Sequence, residues 1–519
     1  MSQRARPNIL FITSDQQRWD SLSALGTPGY RTPNLDRLAR EGVHFERAYT
    51  PSPVCTPARV SMITGQYPSR HGAYQIGMEP VAALRGPTLA SILAGHGYAT
   101  ASIGKTHYVA RAIEHQHVAG IVPPDPARPN PDDAFWDTFD GPYLGFQYVQ
   151  HGQSHTADRL PNAHYRAWLR RRGLNLDHLH HDKDGGRPND ALPACGAWAI
   201  DPDHTQTAWI AEASEAWIRR QVARGRPWFC MVNYQDPHPP YVCPEPWYGG
   251  VDMTGVDLGG VRPGEMEDKP PPLRRFLEGL YWSEEDGASL ADPLIRNVPA
   301  LSLYDKVVDP ARAIRAYIGM VNMLDAHVGR LLATLDELGA AEDTLILFTT
   351  DHGDQLGRHG MWGKGPAAYD DNQRIPCLMR WPAAQTAGPV GRTTSMFSLV
   401  DAMPTFLDAA GIALPPGVQG ISQLPLLRGE TRMLRDWALV DFIATTRFHQ
   451  QTLVQGGHKL VVYRDADYGE LYDLERDPDQ YVNLFDRPAA AAVRQRMLHR
   501  LARANMHAAG VMPLRGWPA

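Results

Sequence analysis

At 519 residues and a net charge of −6, the chain can bury a large core and is expected to hold more than one domain or subdomain. The acidic balance argues against nucleic-acid binding driven by phosphate contacts, yet a locally positive pocket can still take an anion. No apolar run is long enough to span a bilayer, and the first one, residues 8–13, is too short for a signal-peptide core. Five cysteines (Cys55, Cys195, Cys230, Cys243, Cys377) are scattered and odd in number, which suits neither a disulfide framework nor a zinc site. A cytoplasmic protein without membrane or nucleic-acid partners is expected.

In chain order, residues 8–13 are a continuous apolar run that meets Ser14-Asp15-Gln16-Gln17, which predicts a buried strand with a polar carboxyl end. Residues 32–42 carry a Thr cap, an early Pro and a closing Gly, the pattern of a helix. Residues 43–49 predict a second strand. Pro57 and Gly65 then bracket a short helix, with Cys55 at or just before its N-terminus, where unpaired N–H groups and the dipole favour anions. Arg59, one turn in, can add a planar fork of donors to an oxyanion or to the Cys55 side chain.

Residues 88–94 predict a helix and 98–103 a strand that ends in Gly104-Lys105-Thr106-His107. In an extended segment Lys105 and His107 share one face. Residues 119–192 are rich in Pro, Gly, His and Arg with weak periodicity, and read as a long insertion over one face. A helix over 204–223 follows, then a strand over 228–234 that runs into Asp236-Pro237-His238-Pro239-Pro240, where prolines hold the backbone around the imidazole. Residues 242–305 are again irregular. The longest helix spans 310–338, and the clearest strand, 344–350, ends in Asp351-His352-Gly353-Asp354. Gly360-Met-Trp-Gly-Lys364-Gly365 is a glycine-rich loop, 375–380 a strand and 399–410 a helix. From about 416 the pattern changes to short strands (437–442, 451–454, 458–463, 470–478 with its turn) and a final helix at 489–504. The expected organisation is an α/β unit over 1–415, with a large, mostly parallel or mixed central sheet flanked by helices and insertions at about 119–205 and 242–305. A smaller α+β subdomain over 416–519 follows.

Four predicted strands end in ligand-type residues: Asp15-Gln16, Lys105 with His107, His238, and Asp351-His352. In open α/β sheets ligands collect beyond the carboxyl ends of strands. Asp15, Gln16 and Asp351 offer only oxygen, which selects a hard divalent cation, while His352 would shift the choice toward manganese.

Cys55-Thr56-Pro57-Ala58-Arg59 with Thr64-Gly65 resembles the motif of the sulfatase family, within the alkaline phosphatase superfamily. The resemblance implies that Cys55 is oxidised to formylglycine by a dedicated generating machinery and hydrated to a geminal diol. It also implies one divalent ion, Ca2+ first and Mn2+ or Mg2+ next, held by Asp15, Gln16, residue 55, Asp351 and His352. By the same resemblance, one diol hydroxyl would attack sulfur and the other, deprotonated by His107, would collapse to the aldehyde and expel sulfate, with Arg59, Lys105, His238 and Lys364 opposing the charge of the ester. The expected activity is hydrolysis of a small aryl or alkyl sulfate ester. His352 departs from the Asp-Asn that sulfatases more often carry late in the chain; Asp15-Gln16 early with Asp351-His352 late matches the related phosphonate monoester hydrolases, whereas Lys105 with His107 matches sulfatases. A phosphonate monoester or phosphodiester hydrolase is therefore the alternative, and a non-catalytic anion-binding relative the third reading. A homo-oligomer is compatible with the chain.

Overall fold

The computed structural model describes residues 6–76, 84, 86–108, 133–152, 163–174, 195–277, 309–382, 390–444 and 448–509. Eight strands form the central sheet, in the order Gly391–Thr393, Val43–Phe45, Cys377–Arg380, Thr344–Thr350, Asn8–Ser14, Trp228–Asn233, Ala99–Gly104, Tyr148–His151. Every pairing is parallel except those made by Cys377–Arg380, which runs against both neighbours. The sheet is therefore mixed, as expected.

The apolar run at the centre explains the layering. Successive side chains of a strand face opposite sides. Ile9 and Phe11 pack with Ile63, Leu89 and Phe406 of the helices Cys55–Thr64, Leu89–Gly95 and Ala402–Ala409. Leu10 and Ile12 pack on the other face with Leu35, Ile210 and Leu324 of the helices Pro33–Glu41, Gln206–Arg224 and Pro310–Glu337. All four strand residues are fully buried, each worth roughly 1.5–3 kcal/mol relative to exposure. Helix starts follow capping chemistry: Thr205 accepts from Ala208 N–H, and Asp309 from Arg312 N–H just ahead of Pro310.

Several expectations are corrected. Thr32 does not cap its helix; its hydroxyl is taken by Ser23 N–H at 2.7 Å and Asp36. The open N–H groups of Asn34 and Leu35 instead go to Asp325 on the long helix, at 3.2 and 2.8 Å. Residues 43–49 are not one strand: Val43–Phe45 joins the central sheet, and Ala48–Tyr49 pairs with Arg374–Ile375 and Phe397–Ser398 in a small separate sheet. The strand expected at 375–380 divides in the same way at Pro376, which has no N–H to give a ladder. The stretch read as an irregular insertion supplies the edge strand Tyr148–His151 and the helices Asp133–Thr138 and Ala163–Arg171. Of the two expected insertions, residues 119–132, 153–162, 175–194 and 278–305 lie outside the described residues.

After residue 436 the chain forms a four-stranded antiparallel sheet, Trp437–Ile443, His449–Gln455, His458–Tyr463 and Gly469–Asp473. The helix Ala491–Ala509 covers it through Met497, Leu501, Ala504 and Ala508. This part is tied to the main body by Arg435, whose Nη2 lies 2.6 Å from Asp401 and Nη1 2.8 Å from the Tyr67 hydroxyl, both fully buried. Lys459 adds a second tie to Asp370 at 2.5 Å.

Candidate active site

The parallel strands Thr344–Thr350, Asn8–Ser14, Trp228–Asn233 and Ala99–Gly104 are consecutive in the sheet, so their carboxyl ends share one rim. Asp15-Gln16, Lys105, His238 and Asp351-His352 follow those four ends. The helix Cys55–Thr64 begins at the same rim with Cys55 as its first residue, and Val54 before it makes no side-chain cap. Gly104 turns the chain there: its φ is +101°, and a Cβ would stand 2.0 Å from the Asn233 carbonyl oxygen.

Asp15, Cys55, Asp351 and His352 present one donor atom each within 4.8 Å of one another, all four residues buried. The Cys55 Sγ lies 3.2 Å from His352 Nε2, 3.9 Å from Asp15 Oδ1 and 2.7 Å from Lys364 Nζ. Lys364 Nζ also stands 3.2 Å from His238 Nε2 and 3.3 Å from His352 Nε2. Each imidazole gives Nδ1–H to a backbone carbonyl, His352 to Gly353 at 2.9 Å and His238 to Pro239 at 2.6 Å. That fixes the tautomer and turns both Nε2 atoms inward.

Arg59 is placed differently from the sequence reading. Its Nε donates to Asp351 Oδ2 at 2.8 Å and its Nη2 to Asp15 Oδ2 at 3.1 Å. Its other bonds go to the carbonyls of Lys105 and Ser14. The fork clamps the two carboxylates. Lys105 forms an ion pair with Asp15. His107 is buried, but its φ of +47° breaks the extended segment on which a shared face with Lys105 was argued.

The electrostatics follow from this crowding. Burial alone would raise the Asp15 carboxyl, but Lys105, His238, Arg59 and Lys364 outweigh it and hold it well below its usual range. Burial and Asp15 push the Cys55 thiol up; Lys105, Lys364 and His352 overcome both and leave it lowered. Burial disfavours a charged His352, yet Asp351 foremost raises its pKa overall.

Gln16 tests whether the centre suits a cation. Its backbone is left-handed, φ +65°, and its N–H donates to Asp351 Oδ1 at 3.1 Å. Its carbonyl accepts from the Tyr317 hydroxyl at 2.9 Å, and its Nε2 donates to Asp354 Oδ2 at 2.7 Å. Oε1 is buried with no hydrogen-bond partner among the described residues. An orphaned, buried amide oxygen on the residue that follows Asp15, whose carboxylate clusters with Asp351, His352 and Cys55, fits the donor set of a divalent ion. Sequence reasoning missed Asp354, Tyr241 and Tyr317, which hold these groups. Tyr317 read only as part of an apolar helical stripe, and its single cue was that a buried phenol needs a polar partner.

The family described as "Sulfatase" matches residues 7–412, and "N-sulphoglucosamine sulphohydrolase, C-terminal" matches residues 357–507. An arylsulfatase of Clostridium perfringens is 28% identical over 93% of this chain and 90% of its own length. The multifunctional alkaline phosphatase superfamily protein PehA of Trinickia caryophylli is 28% identical over 94% and 93%. Among solved structures, the phosphonate monoester hydrolase of Agrobacterium radiobacter superposes with a TM-score of 0.73 at 27% identity, over 97% of this chain and 96% of that one. With residues 7–412 matched and a clustered rim of carboxylates, imidazoles and a cysteine-headed helix, the chain belongs to the sulfatase family of hydrolases.

Proposed function

We propose that the protein hydrolyses a small organic sulfate ester, aryl or alkyl, using formylglycine made from Cys55 and one divalent ion. The observation that carries this is the convergence of Asp15, Asp351, His352 and Cys55 within 4.8 Å, with Lys364 Nζ 2.7 Å from the Cys55 sulfur. Asp15, Gln16, Asp351, His352 and residue 55 would hold the ion, and their oxygen-rich set favours Ca2+, with Mn2+ or Mg2+ next. Bound there, such an ion supplies Lewis-acid stabilisation of charge on oxygen, and formylglycine a hydrated aldehyde as nucleophile.

The chain's own residues then divide the work. Lys364 carries its charge between residue 55 and His238, where an ester's bridging oxygen gains charge as it leaves. His238 Nε2 faces that ammonium, so the pair can pass a proton to the leaving oxygen. Lys105 and Arg59 keep Asp15 ionised, and Arg59 fixes the angle between the two carboxylates. His107 is assigned, by family resemblance, the removal of a proton from residue 55. The formylglycine-generating machinery is an implied partner, and five cysteines without a disulfide suit a cytoplasmic setting.

A phosphonate monoester or phosphodiester substrate is the second reading. It is favoured by Gln16 and His352 at the metal position and by the similarity to the Agrobacterium hydrolase. Side-by-side kcat/KM values for an aryl sulfate, an aryl phosphonate and a phosphodiester decide. Preference for the sulfate supports the assignment; a preference of several orders of magnitude for a phosphorus ester overturns it.

A further inference from the structure

The carboxylate of Asp354 sits behind Gln16, one residue removed from the centre. It is fully buried, and four donors converge on it. Oδ1 accepts from Leu356 N–H at 2.7 Å and Gly363 N–H at 3.0 Å. Oδ2 accepts from Gln16 Nε2 at 2.7 Å and the Tyr241 hydroxyl at 2.8 Å. With donors at both oxygens, the group acts only as an acceptor.

That decides a question the shape of a glutamine leaves open. The two ends of an amide are nearly the same size but opposite in polarity. An Asp354 oxygen facing Gln16 demands Nε2–H there, so Oε1 must turn the other way, where it is buried and unpartnered among the described residues. The reverse orientation would set two acceptors, Oε1 and Asp354 Oδ2, against each other. The backbone of Gln16 is itself held by Asp351 and Tyr317, which fixes where the side chain starts.

We propose that Asp354 is a positioning residue that presents the Gln16 amide oxygen to a divalent cation. The same carboxylate ties this ligand to two other catalytic segments. Gly363 immediately precedes Lys364, and Tyr241 follows His238 by three residues. One buried group thus holds the metal's amide ligand, the lysine loop and the histidine segment in a common register. The inference rests on the metal reading given under the proposed function.

The test is a thermodynamic cycle read by metal affinity. Full-length parent, Asp354→Asn, Gln16→Ala and the double variant are made in a host that generates formylglycine, stripped with a chelator, and titrated with Ca2+ and separately with Mn2+. Loss of an outer partner of a ligand costs about 10- to 100-fold in metal affinity, and that loss is expected for Asp354→Asn. In the Gln16→Ala background the same change should add less than about twofold, because its route of action is gone. Asp354→Asn protein that binds both ions like the parent overturns the inference, and so does a full loss repeated in the Gln16→Ala background. A parent that binds neither ion ends the metal reading itself, which separates the two failures. Should Asp354→Asn not fold, Tyr241→Phe removes one donor from the same oxygen. A smaller affinity loss that vanishes with Gln16→Ala then supports the role, and an unchanged affinity refutes it.

Discussion

Replacing Lys364 with Met keeps an unbranched stem of nearly the same length and removes the ammonium group, its charge and its N–H donors together. Nζ lies within 3.3 Å of the Cys55 sulfur, His238 Nε2 and His352 Nε2, and the residue is 2% exposed. In so dry a site a preplaced charge needs no reorganisation when the leaving oxygen becomes negative, and a single such donor is worth about 2.7–4 kcal/mol. At about 1.36 kcal/mol per decade, kcat/KM for 4-nitrophenyl sulfate should fall roughly a hundred- to a thousandfold. The assay is run at saturating Ca2+ or Mn2+, with metal affinity measured in parallel. Because the lysine is a like charge beside the cation position, its loss should leave that affinity unchanged or tighter. A decrease in kcat/KM below about tenfold would refute the placement of this ammonium at the leaving group. Weakened metal binding would refute the charge argument itself.

Three other outcomes follow from the same geometry. Cys55→Ala should abolish turnover while leaving the thermal transition intact; retained activity would end the nucleophile assignment. Arg435→Met strands Asp401 without its cation at 0% exposure and should cost about 3–5 kcal/mol in chemical denaturation, and a loss below about 1 kcal/mol would contradict the role of this tie. His71 accepts from Ala73 N–H at Nδ1 and faces Ser61 at Nε2, and burial pushes its pKa down to about 3. Since the unfolded ring titrates near 6.5, its stabilising contribution is complete above that pH and is lost as pH falls toward 3, by about 1.4 kcal/mol per unit. His71→Gln should flatten the acid limb of stability against pH by that slope, and an unaltered limb would refute it.

The fold was legible where single runs carried whole elements. The apolar segments ending at Asp15 and Asp351 could only be buried strands, and their polar ends marked the rim before any coordinate did. What local pattern could not show was where a run would change sheets. Val43–Phe45 and Ala48–Tyr49 read as one strand because β-pattern is the same on both sides of a corner. Tyr148–His151 was hidden because an edge strand in a Pro- and Gly-rich stretch has little periodicity of its own.

At the site, residue types and strand ends pointed to the right neighbourhood but not to who holds whom. Arg59 read as a substrate contact because an arginine near a helix start suits an anion equally well; only distance shows its fork closed on Asp15 and Asp351. Asp354 drew no reading of its own beyond its place after Asp351-His352-Gly353. Its importance lies in four donors drawn from residues 16, 241, 356 and 363, separations that no spacing rule encodes.

The central claim is that residue 55 works as an aldehyde. Its most direct test is the mass of the tryptic peptide containing residue 55, from protein made in a host able to modify it and active on an aryl sulfate. The account predicts the mass of formylglycine in place of cysteine, in proportion to the active fraction. A fully active preparation whose peptide carries an unmodified thiol would contradict it.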